Sequence, residues 1–154
     1  MVDIVSPQKR SEMMAGIKGK NTKPELVVRR LLHAEGFRFR LHRKDLPGRP
    51  DIVLPRFKTA IFVNGCFWHG HENCALYRPP LTRTEFWSEK ISGNRARDAR
   101  KLTELTDLGW QAVVVWECAI KGKNKLPDGE LAQLLADSIS NEKKCHHIRG
   151  WECS

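Results

Sequence analysis

The stretch WQAVVVW, residues 110–116, is a nearly continuous apolar run, and it constrains the fold more than any other segment. A strand with one solvated face alternates apolar and polar residues, whereas a strand covered on both faces reads as an unbroken apolar run. Such a strand needs packing partners on both sides of its sheet. Because helical patterns flank it in the chain, the run predicts an α/β fold with a mixed sheet between helices.

The helical segments carry recognisable start and stop signals. A first helix is predicted at the capping-box pair Thr22 and Glu25, a second region over 82–108 with a break at Gly93, and a last helix over 128–139. The second of these has helically spaced apolar residues that predict a buried stripe: Ala99, Leu102 and Leu105. A further short helix is expected over 8–17.

Shorter segments carry strand patterns. Residues 37–41 alternate apolar and basic side chains, which predicts a strand with one wet face, and 51–54 and 59–63 read as two strands joined by a tight turn. A chain of 154 residues is sufficient for one domain with a core. We therefore expect an N-terminal arm (1–20), one domain (21–140) and a flexible tail (141–154).

The charge of the chain points to an anionic partner. Lysine and arginine number 27 against 18 acidic residues, a net charge of +9. The cations are grouped, which favours a nucleic acid over a merely solubilising surface: Arg38, Arg40, His42, Arg43 and Lys44 in one block, and Arg95, Arg97, Arg100 and Lys101 in another. No apolar run reaches the roughly 18 residues of a membrane helix, and residues 1–17 lack a secretory signal pattern.

Two acidic residues are placed where a catalytic cation could bind. Asp51 stands at the start of a predicted strand and Glu25 on the first helix, although alone they could merely finish a turn and cap that helix. An acid on a helix, an acid at a strand start and an adjacent next strand together resemble the PD-(D/E)xK nucleases. The acid-x-Lys expected on the following strand is replaced here by Val63-Asn64-Gly65.

One family is known to lack the acid-x-Lys motif, and four motifs of this sequence match it: LPGRPDIV at 46–53, GCFWH at 65–69, TRTEFWSEKI at 82–91 and WEC at 116–118. They resemble the very short patch repair endonucleases, bacterial enzymes that nick DNA beside the thymine of a T:G mispair left by deamination of 5-methylcytosine. The resemblance covers residues 7–135. It implies a single-domain, three-layer α/β/α restriction-endonuclease-like fold with a mixed central sheet.

The resemblance also implies how the chain works. Double-stranded DNA with a T:G mismatch would be cut on one strand by Mg²⁺-dependent hydrolysis that leaves a 5′-phosphate. The enzyme would be a monomer in the bacterial cytoplasm, at the nucleoid, with mismatch-repair and repair-synthesis proteins as partners. Roles follow for individual residues: Mg²⁺ ligands Asp51 and Val63 (through its carbonyl), general base His69, water-orienting Glu25 and Asp98, and Asn64 where the family usually has histidine.

The cysteines favour a structural metal. Five cysteines and no export signal make a disulfide framework improbable on chemical grounds, and four residues form a set suited to tetrahedral Zn²⁺: Cys66, His71, Cys74 and Cys118. His69 could replace His71 as the zinc ligand. The alternative to a zinc site is that these four side chains have no common function. In the tail, Cys145, His146, His147 and Cys153 could form another cluster, but we expect a solvated end instead.

Phe67, Trp68 and Trp87 are either core residues or a surface for stacking on bases. Adjacent residues on an extended segment point to opposite sides, so we expect Phe67 or Trp68 to remain exposed. The resemblance implies that all three enter the DNA beside the mispair, with residues 1–20 closing over it. Two alternatives stay open: a non-catalytic zinc-stabilised DNA-binding module, and a dimeric restriction-type enzyme that cuts matched duplex.

Overall fold

The computed structural model describes residues 22–71, 74, 81–141 and 145–150. The predicted arm (1–20), its short helix and Cys153 lie outside these residues. Within them the elements follow the predicted α/β order: α1 (Lys23–Ala34), β1 (Arg40–Leu41), β2 (Ile52–Leu54), β3 (Thr59–Asn64), α2 (Thr84–Asp107), β4 (Gln111–Trp116), α3 (Asp128–Ser140) and β5 (Cys145–Ile148). None of the described helices combines the length and apolarity needed to cross a membrane.

The five strands form one mixed sheet in the order β1-β2-β3-β4-β5. β1, β2 and β3 pair antiparallel, whereas β3, β4 and β5 pair parallel. The apolar run that became β4 lies between β3 and β5, and its residues 112–116 are all buried, as its sequence predicted. The prediction of a single α/β domain with a mixed sheet is therefore confirmed.

Alternate residues of the strands pack into different apolar clusters on the two faces of the sheet. Ile52 of β2, Ile61 of β3 and Val113 of β4 belong to the cluster that includes residues of α1 and α3. Val53, Ala60 and Ala112 belong instead to the cluster that includes Leu105 of α2. Because successive side chains of a strand point to opposite faces, these two clusters lie on opposite faces of the sheet.

Helix α1 begins as its capping signature predicted. Thr22 adopts an extended conformation at the N-cap, and its hydroxyl accepts a hydrogen bond from the backbone N–H of Glu25 at 3.4 Å. Val28, Leu31 and Leu32 form its buried stripe, at the helical spacing seen in the sequence. The helix therefore brings the buried side chain of Glu25 beside His42, just after β1, and Asp51, just before β2.

Several boundary predictions were wrong. The predicted strand 37–41 keeps only Arg40–Leu41, because the partner strand β2 is three residues long and only these two residues pair with it. Helix α2 runs through Gly93 without a break. Within its predicted stripe Leu105 is buried and Leu102 half-buried, but Ala99 is exposed, since only the two leucines pack against the apolar cluster on this sheet face.

The tail prediction was also wrong at Cys145–Ile148. These residues form β5, which pairs in parallel with β4 from Ala112↔Cys145 to Val115↔Ile148. The reason is that the buried strand β4 has two edges, and without β5 one of them would carry unpaired backbone groups. The segment CHHI is short and has no clear alternation, so its sequence gave little sign of a strand.

Candidate active site

One cleft of about 960 Å³ collects most of the residues predicted to act in chemistry. It is lined by α1, the turn before β2, the end of β3, the loop after it and α2. Glu25, Asp51, Val63, Asn64, Phe67, Trp68, His69 and Asp98 all contribute to its wall. The sequence placed these residues on separate elements, and the fold brings them to one place.

Asp51 stands at the entrance to β2 with a mostly buried carboxylate. Its Oδ2 accepts a hydrogen bond from the backbone N–H of Val63 at 2.8 Å, and within the described residues Oδ1 has no hydrogen-bond partner. Burial raises the pKa of Asp51 to about 6; the Val63 N–H lowers it, and the nearby negative charge of Glu25 adds to the rise. A half-satisfied, buried carboxylate of this kind is suited to a hard cation.

Glu25 is almost completely buried beside Asp51, with 2 % of its side chain exposed. Its Oε2 accepts hydrogen bonds from Arg29 and from His42 Nε2, the latter at 2.9 Å. The side chain therefore does not close the capping box that its sequence position suggested. The ligand atoms of Glu25, His42 and Asp51 lie within 4.8 Å of one another, and we call these three residues the carboxylate site.

Sequence reasoning missed Arg29 and His42, which contact Glu25 behind the cleft wall. Arg29 could have been found, because it stands four residues after Glu25 on α1 and such pairs meet on one helix face. His42 gave no usable signal, since the pattern RFRLHRK placed it among solvated cations. Its position depends on the left-handed turn at residue 42, which is held by the hydrogen bond from its backbone N–H to Asp51 O at 3.0 Å.

His69 lies on a compact turn (65–71) that follows β3, and α2 fixes this turn. Asn94 donates to the backbone oxygen of Trp68 at 2.7 Å, and Arg95 donates to that of Gly70 at 2.8 Å. Gly70 has φ +58°, and a Cβ there would lie 2.3 Å from Ile91, so only glycine fits against α2. The turn is therefore held against α2 by two adjacent donors, Asn94 and Arg95, and by the packing of Gly70 on Ile91 about one helical turn earlier.

The same helix face supplies a partner for the His69 ring. Asp98 Oδ2 lies 2.6 Å from His69 Nδ1, so the carboxylate accepts the Nδ1 proton and leaves Nε2 as the basic nitrogen. The sequence left open a surface ion pair of Asp98 with Arg95 or Lys101. The described contact of Asp98 is instead with His69, and Arg95 contacts the turn.

Asn64 is the last residue of β3 and lines the cleft, where its side chain makes no hydrogen bond within the described residues. Cations surround the carboxylates on the cleft wall: Lys23, Arg49, Lys90, Arg97, Lys101 and Lys121. A basic rim around an acidic centre attracts a polyanion while the centre holds a cation.

Phe67, Trp68 and Trp87 pack against one another, and we call them the aromatic cluster; Phe67 and Trp68 line the cleft. Their ring centroids lie 5.3 to 6.0 Å apart, in edge-on and tilted arrangements. Each is half-buried, and none belongs to the buried clusters on the two sheet faces. Neither Phe67 nor Trp68 is fully exposed as expected, because mutual packing leaves only part of each ring at the surface.

Behind the turn lie Cys66, His71, Cys74 and Cys118, which we call the Cys3His cluster. All four are buried, and their ligand atoms lie within 4.8 Å of one another. His71 Nδ1 is 3.5 Å from Cys66 Sγ and 3.6 Å from Cys118 Sγ. Tetrahedral Zn²⁺ bonds of about 2.3 Å to sulfur and 2.0 Å to nitrogen give an S···N separation of about 3.6 Å, so the donor set fits zinc.

The two histidines of the turn therefore face different sites, with His71 in the Cys3His cluster and His69 beside Asp98. The mutual hydrogen bond with Cys118 and burial raise the pKa of the Cys66 thiol, which is the expected state of clustered thiols without a cation. Backbone N–H groups of Cys118 and Gly150 donate to the sulfurs of Cys66 and Cys118. Such donors favour thiolates.

Strand β5 supports the cluster from behind. The Trp116 ring stacks on His71 at 3.8 Å with an interplanar angle of 3°, and its Nε1 donates to His147 Nδ1 at 3.2 Å. Burial lowers the pKa of His147, consistent with an accepting, neutral Nδ1. Of the tail residues considered as a second metal cluster, Cys145 and His147 lie 3.6 Å apart, and no third ligand joins them within the described residues.

Comparisons with known proteins agree with this arrangement. A family described as DNA mismatch endonuclease Vsr matches residues 2–76. The chain is 52 % identical over 138 residues to the type II nicking enzyme V.XorIIP of Xanthomonas oryzae, covering 90 % of this chain and 100 % of that protein. It is 43 % identical over 142 residues to the DNA mismatch endonuclease Vsr of Escherichia coli, covering 92 % and 90 %.

A third relative, the type II nicking enzyme V.NmeAIP of Neisseria meningitidis, is 47 % identical over 123 residues, with 80 % of this chain and 87 % of that protein covered. These matches span nearly the full length of both partners, including the carboxylate site and the Cys3His cluster. The chain belongs to the Vsr family of DNA mismatch endonucleases and is a DNA endonuclease, a phosphodiester hydrolase.

Proposed function

We propose that this endonuclease nicks one strand of duplex DNA 5′ to the thymine of a T:G mispair, by Mg²⁺-dependent hydrolysis that leaves a 5′-phosphate. The observation that carries the proposal is one cleft whose wall includes two rings of the aromatic cluster, both acids of the carboxylate site and the His69–Asp98 pair. An enzyme that opens a base step and hydrolyses the neighbouring phosphodiester needs these three components side by side. The relatives, which are named as a mismatch endonuclease and nicking enzymes, support this proposal.

The residues that would hold Mg²⁺ are Asp51, through the carboxylate oxygen that lacks a partner, and Val63, through its backbone carbonyl. Carboxylate and carbonyl oxygens are the donors that Mg²⁺ prefers. When bound, the cation lowers the pKa of water and stabilises charge on the phosphate. Glu25 would orient hydrated cation from the buried side of the cleft, and the basic rim would bind the phosphates on either side of the cut.

His69 would act as the general base. Asp98 accepts the proton of Nδ1 and so keeps Nε2 free to take a proton from the attacking water. Asn64 lines the same cleft but can only donate and accept hydrogen bonds, so the proton transfer would depend on His69 alone.

The aromatic cluster would enter the helix beside the mispair. Opening a base step costs on the order of a few kcal/mol, and stacking on an aromatic ring returns about 1–3 kcal/mol per base. A T:G mispair is easier to open than a matched pair, so the same rings contribute selectivity. Residues 1–20 would close over the bound DNA as an arm.

We also propose Zn²⁺ in the Cys3His cluster and a three-layer α/β/α arrangement of the restriction-endonuclease type, with α1 and α3 on one face of the sheet and α2 on the other. The protein would act as a monomer on bacterial DNA in the cytoplasm, at the nucleoid. Mismatch-repair and repair-synthesis proteins would be its partners, since a nick must be extended and sealed.

The activity is tested by incubating the protein and Mg²⁺ with strand-labelled duplexes that differ only in one pair, T:G or T:A. We expect a nick in the thymine strand of the T:G duplex and at least about 10²-fold slower cutting of T:A. No nick with any flanking sequence in a randomised library would support the non-catalytic DNA-binding module. Equal double-strand cutting of both duplexes would support the restriction-type enzyme.

The role of the His69–Asp98 pair is tested with Asp98→Asn, which keeps the size of the side chain but not its ability to select the Nδ1–H tautomer. General-base catalysis contributes about 10²–10⁴-fold, so we expect the single-turnover nicking rate to fall by at least about 10²-fold. Asp107→Asn, an exposed change on the same helix, is the matched control. A wild-type rate for Asp98→Asn would remove Asp98 from the mechanism.

A further inference from the structure

His42 is the one member of the carboxylate site that neither the chain's motifs nor the proposed mechanism uses. It lies in the loop after β1, with 17 % of its side chain exposed, and its Nε2 is 2.9 Å from Glu25 Oε2. Its backbone has a left-handed φ of 51°, a conformation that is uncommon for residues other than glycine. Strained residues of this kind persist where the surrounding structure requires one side-chain position.

The hydrogen bonds around Glu25 indicate what His42 does. A carboxylate only accepts, so Nε2 of His42 carries a hydrogen and donates it to Oε2. Arg29 donates to the same oxygen, and its Nη2 is 3.4 Å from His42 Nε2, so two donors converge on Oε2 from different elements. Within the described residues Oε1 of Glu25 receives no hydrogen bond, and the residue lines the cleft with Asp51.

We infer that His42 is a positioning residue for the catalytic cation: with Arg29 it holds Oε2 of Glu25, so that Oε1 is presented to the hydrated cation on Asp51. Direct ligation by His42 is disfavoured because its Nε2 already donates to Glu25 and a guanidinium lies beside it. The inference rests on the proposed cation site. It adds a determinant of cation affinity that is independent of His69, Asp98 and the aromatic cluster.

Two amide substitutions separate this role from simple packing. Glutamine at position 42 can place an N–H donor where Nε2 stands, whereas asparagine has the same amide but is too short to reach Glu25. Partners of metal ligands typically contribute 10–100-fold to metal affinity. We therefore expect the Kd for Mn²⁺ to rise by about 10-fold or more in His42→Asn and to stay within about 3-fold of wild type in His42→Gln.

The measurement is a Mn²⁺ titration of the zinc-loaded full chain without DNA, followed by electron paramagnetic resonance of free Mn²⁺. His33→Asn, an exposed histidine on the last turn of α1, is the matched control and should bind Mn²⁺ as wild type does. Because neither DNA nor cleavage is involved, failure of the T:G activity would leave this result intact, and failure here would leave the activity intact.

Two results would overturn the inference. The first is equal Mn²⁺ affinity in His42→Asn and wild type when both are folded by their melting curves, which would reduce His42 to a packing role. The second is a coupling between bound Mn²⁺ and an imidazole nitrogen in the pulsed electron paramagnetic resonance spectrum. If this coupling disappears in both His42 variants but persists in His69→Gln, His42 is a direct ligand. If His42→Asn does not fold, Arg29→Met tests the same clamp on Oε2, and unchanged affinity there contradicts it.

Discussion

Asp51→Asn is expected to abolish nicking of a T:G duplex while making the Mg²⁺-free protein more stable at neutral pH. The loss follows from the proposed cation site, because bound Mg²⁺ supplies several kcal/mol of charge stabilisation in the transition state. About 4 kcal/mol corresponds to roughly 10³-fold in rate. DNA binding should stay near the wild-type level, since the basic rim and the aromatic cluster are unchanged.

The gain in stability follows from the burial of the carboxylate. Burial raises the pKa of Asp51 to about 6, above its ordinary value of 3.8. The folded state therefore binds the proton more tightly than the unfolded chain, and the stability this proton confers is present below pH 3.8 and lost as the pH rises through 6. Asparagine keeps a hydrogen-bond acceptor for the Val63 N–H and carries no charge to desolvate.

In Mg²⁺-free buffer at pH 7.5, without chelator so that the Cys3His cluster keeps its zinc, we expect Asp51→Asn to unfold with a free energy about 2 kcal/mol higher than wild type, discounted for the solvent in the cleft. For a chain of this size that is about 4–8 °C in Tm, and the difference should shrink as the pH approaches 4. Added Mg²⁺ should raise the Tm of wild type only. Asp45→Asn, an exposed carboxylate in the preceding loop, is the control.

Three outcomes would count against this account of Asp51. Nicking at the wild-type rate would remove the residue from the active site. A Tm difference that does not change with pH would mean that the folded chain does not desolvate an ionised Asp51. Stabilisation of Asp51→Asn by Mg²⁺ equal to that of wild type would place the cation elsewhere.

The sequence predicted those site residues whose positions are determined by their neighbours in the chain. Thr22 caps α1 because its neighbours in the chain provide the donor, and β4 is buried because its own residues are apolar. The turn 65–71 contains cysteine and histidine, whose side chains bind metals and transfer protons, so the sequence alone was sufficient to predict Cys66, His69 and His71 as site residues. What periodicity could not assign was which histidine faces which site.

That assignment, and the inclusion of His42 and β5, depends on long-range contacts. His69 meets Asp98 only because α2 crosses the turn, and His42 meets Glu25 only because a left-handed residue reverses the chain between β1 and β2. β5 forms because β4 has an open edge, a property of the sheet and not of the segment CHHI. Long-range pairing of this type leaves no periodic trace in a sequence.

Cys118→Ala is expected to have the largest effect on stability of any single change discussed. Binding of structural Zn²⁺ contributes on the order of 10 kcal/mol in small zinc domains, and that energy is folding energy because the unfolded chain has no preformed site. Cys118 joins the end of β4 to the turn that carries His69, Phe67 and Trp68. Its loss should release the metal, lower the Tm by more than about 10 °C and reduce nicking with it.

Metal content after purification, measured by elemental analysis, should fall from one zinc per wild-type chain to near zero in Cys118→Ala. Cys145→Ala is the matched control, a partly buried free thiol outside the Cys3His cluster, and should keep its zinc. If Cys118→Ala cannot be purified, His71→Cys should retain metal in an all-thiolate site and His69→Gln should retain it unchanged. His71 contacts the thiols, whereas His69 contacts Asp98. Loss of zinc in His69→Gln with retention in His71→Ala would therefore mean that the two histidines have the opposite roles. Unchanged zinc content in Cys118→Ala would mean that the metal does not bind at this cluster.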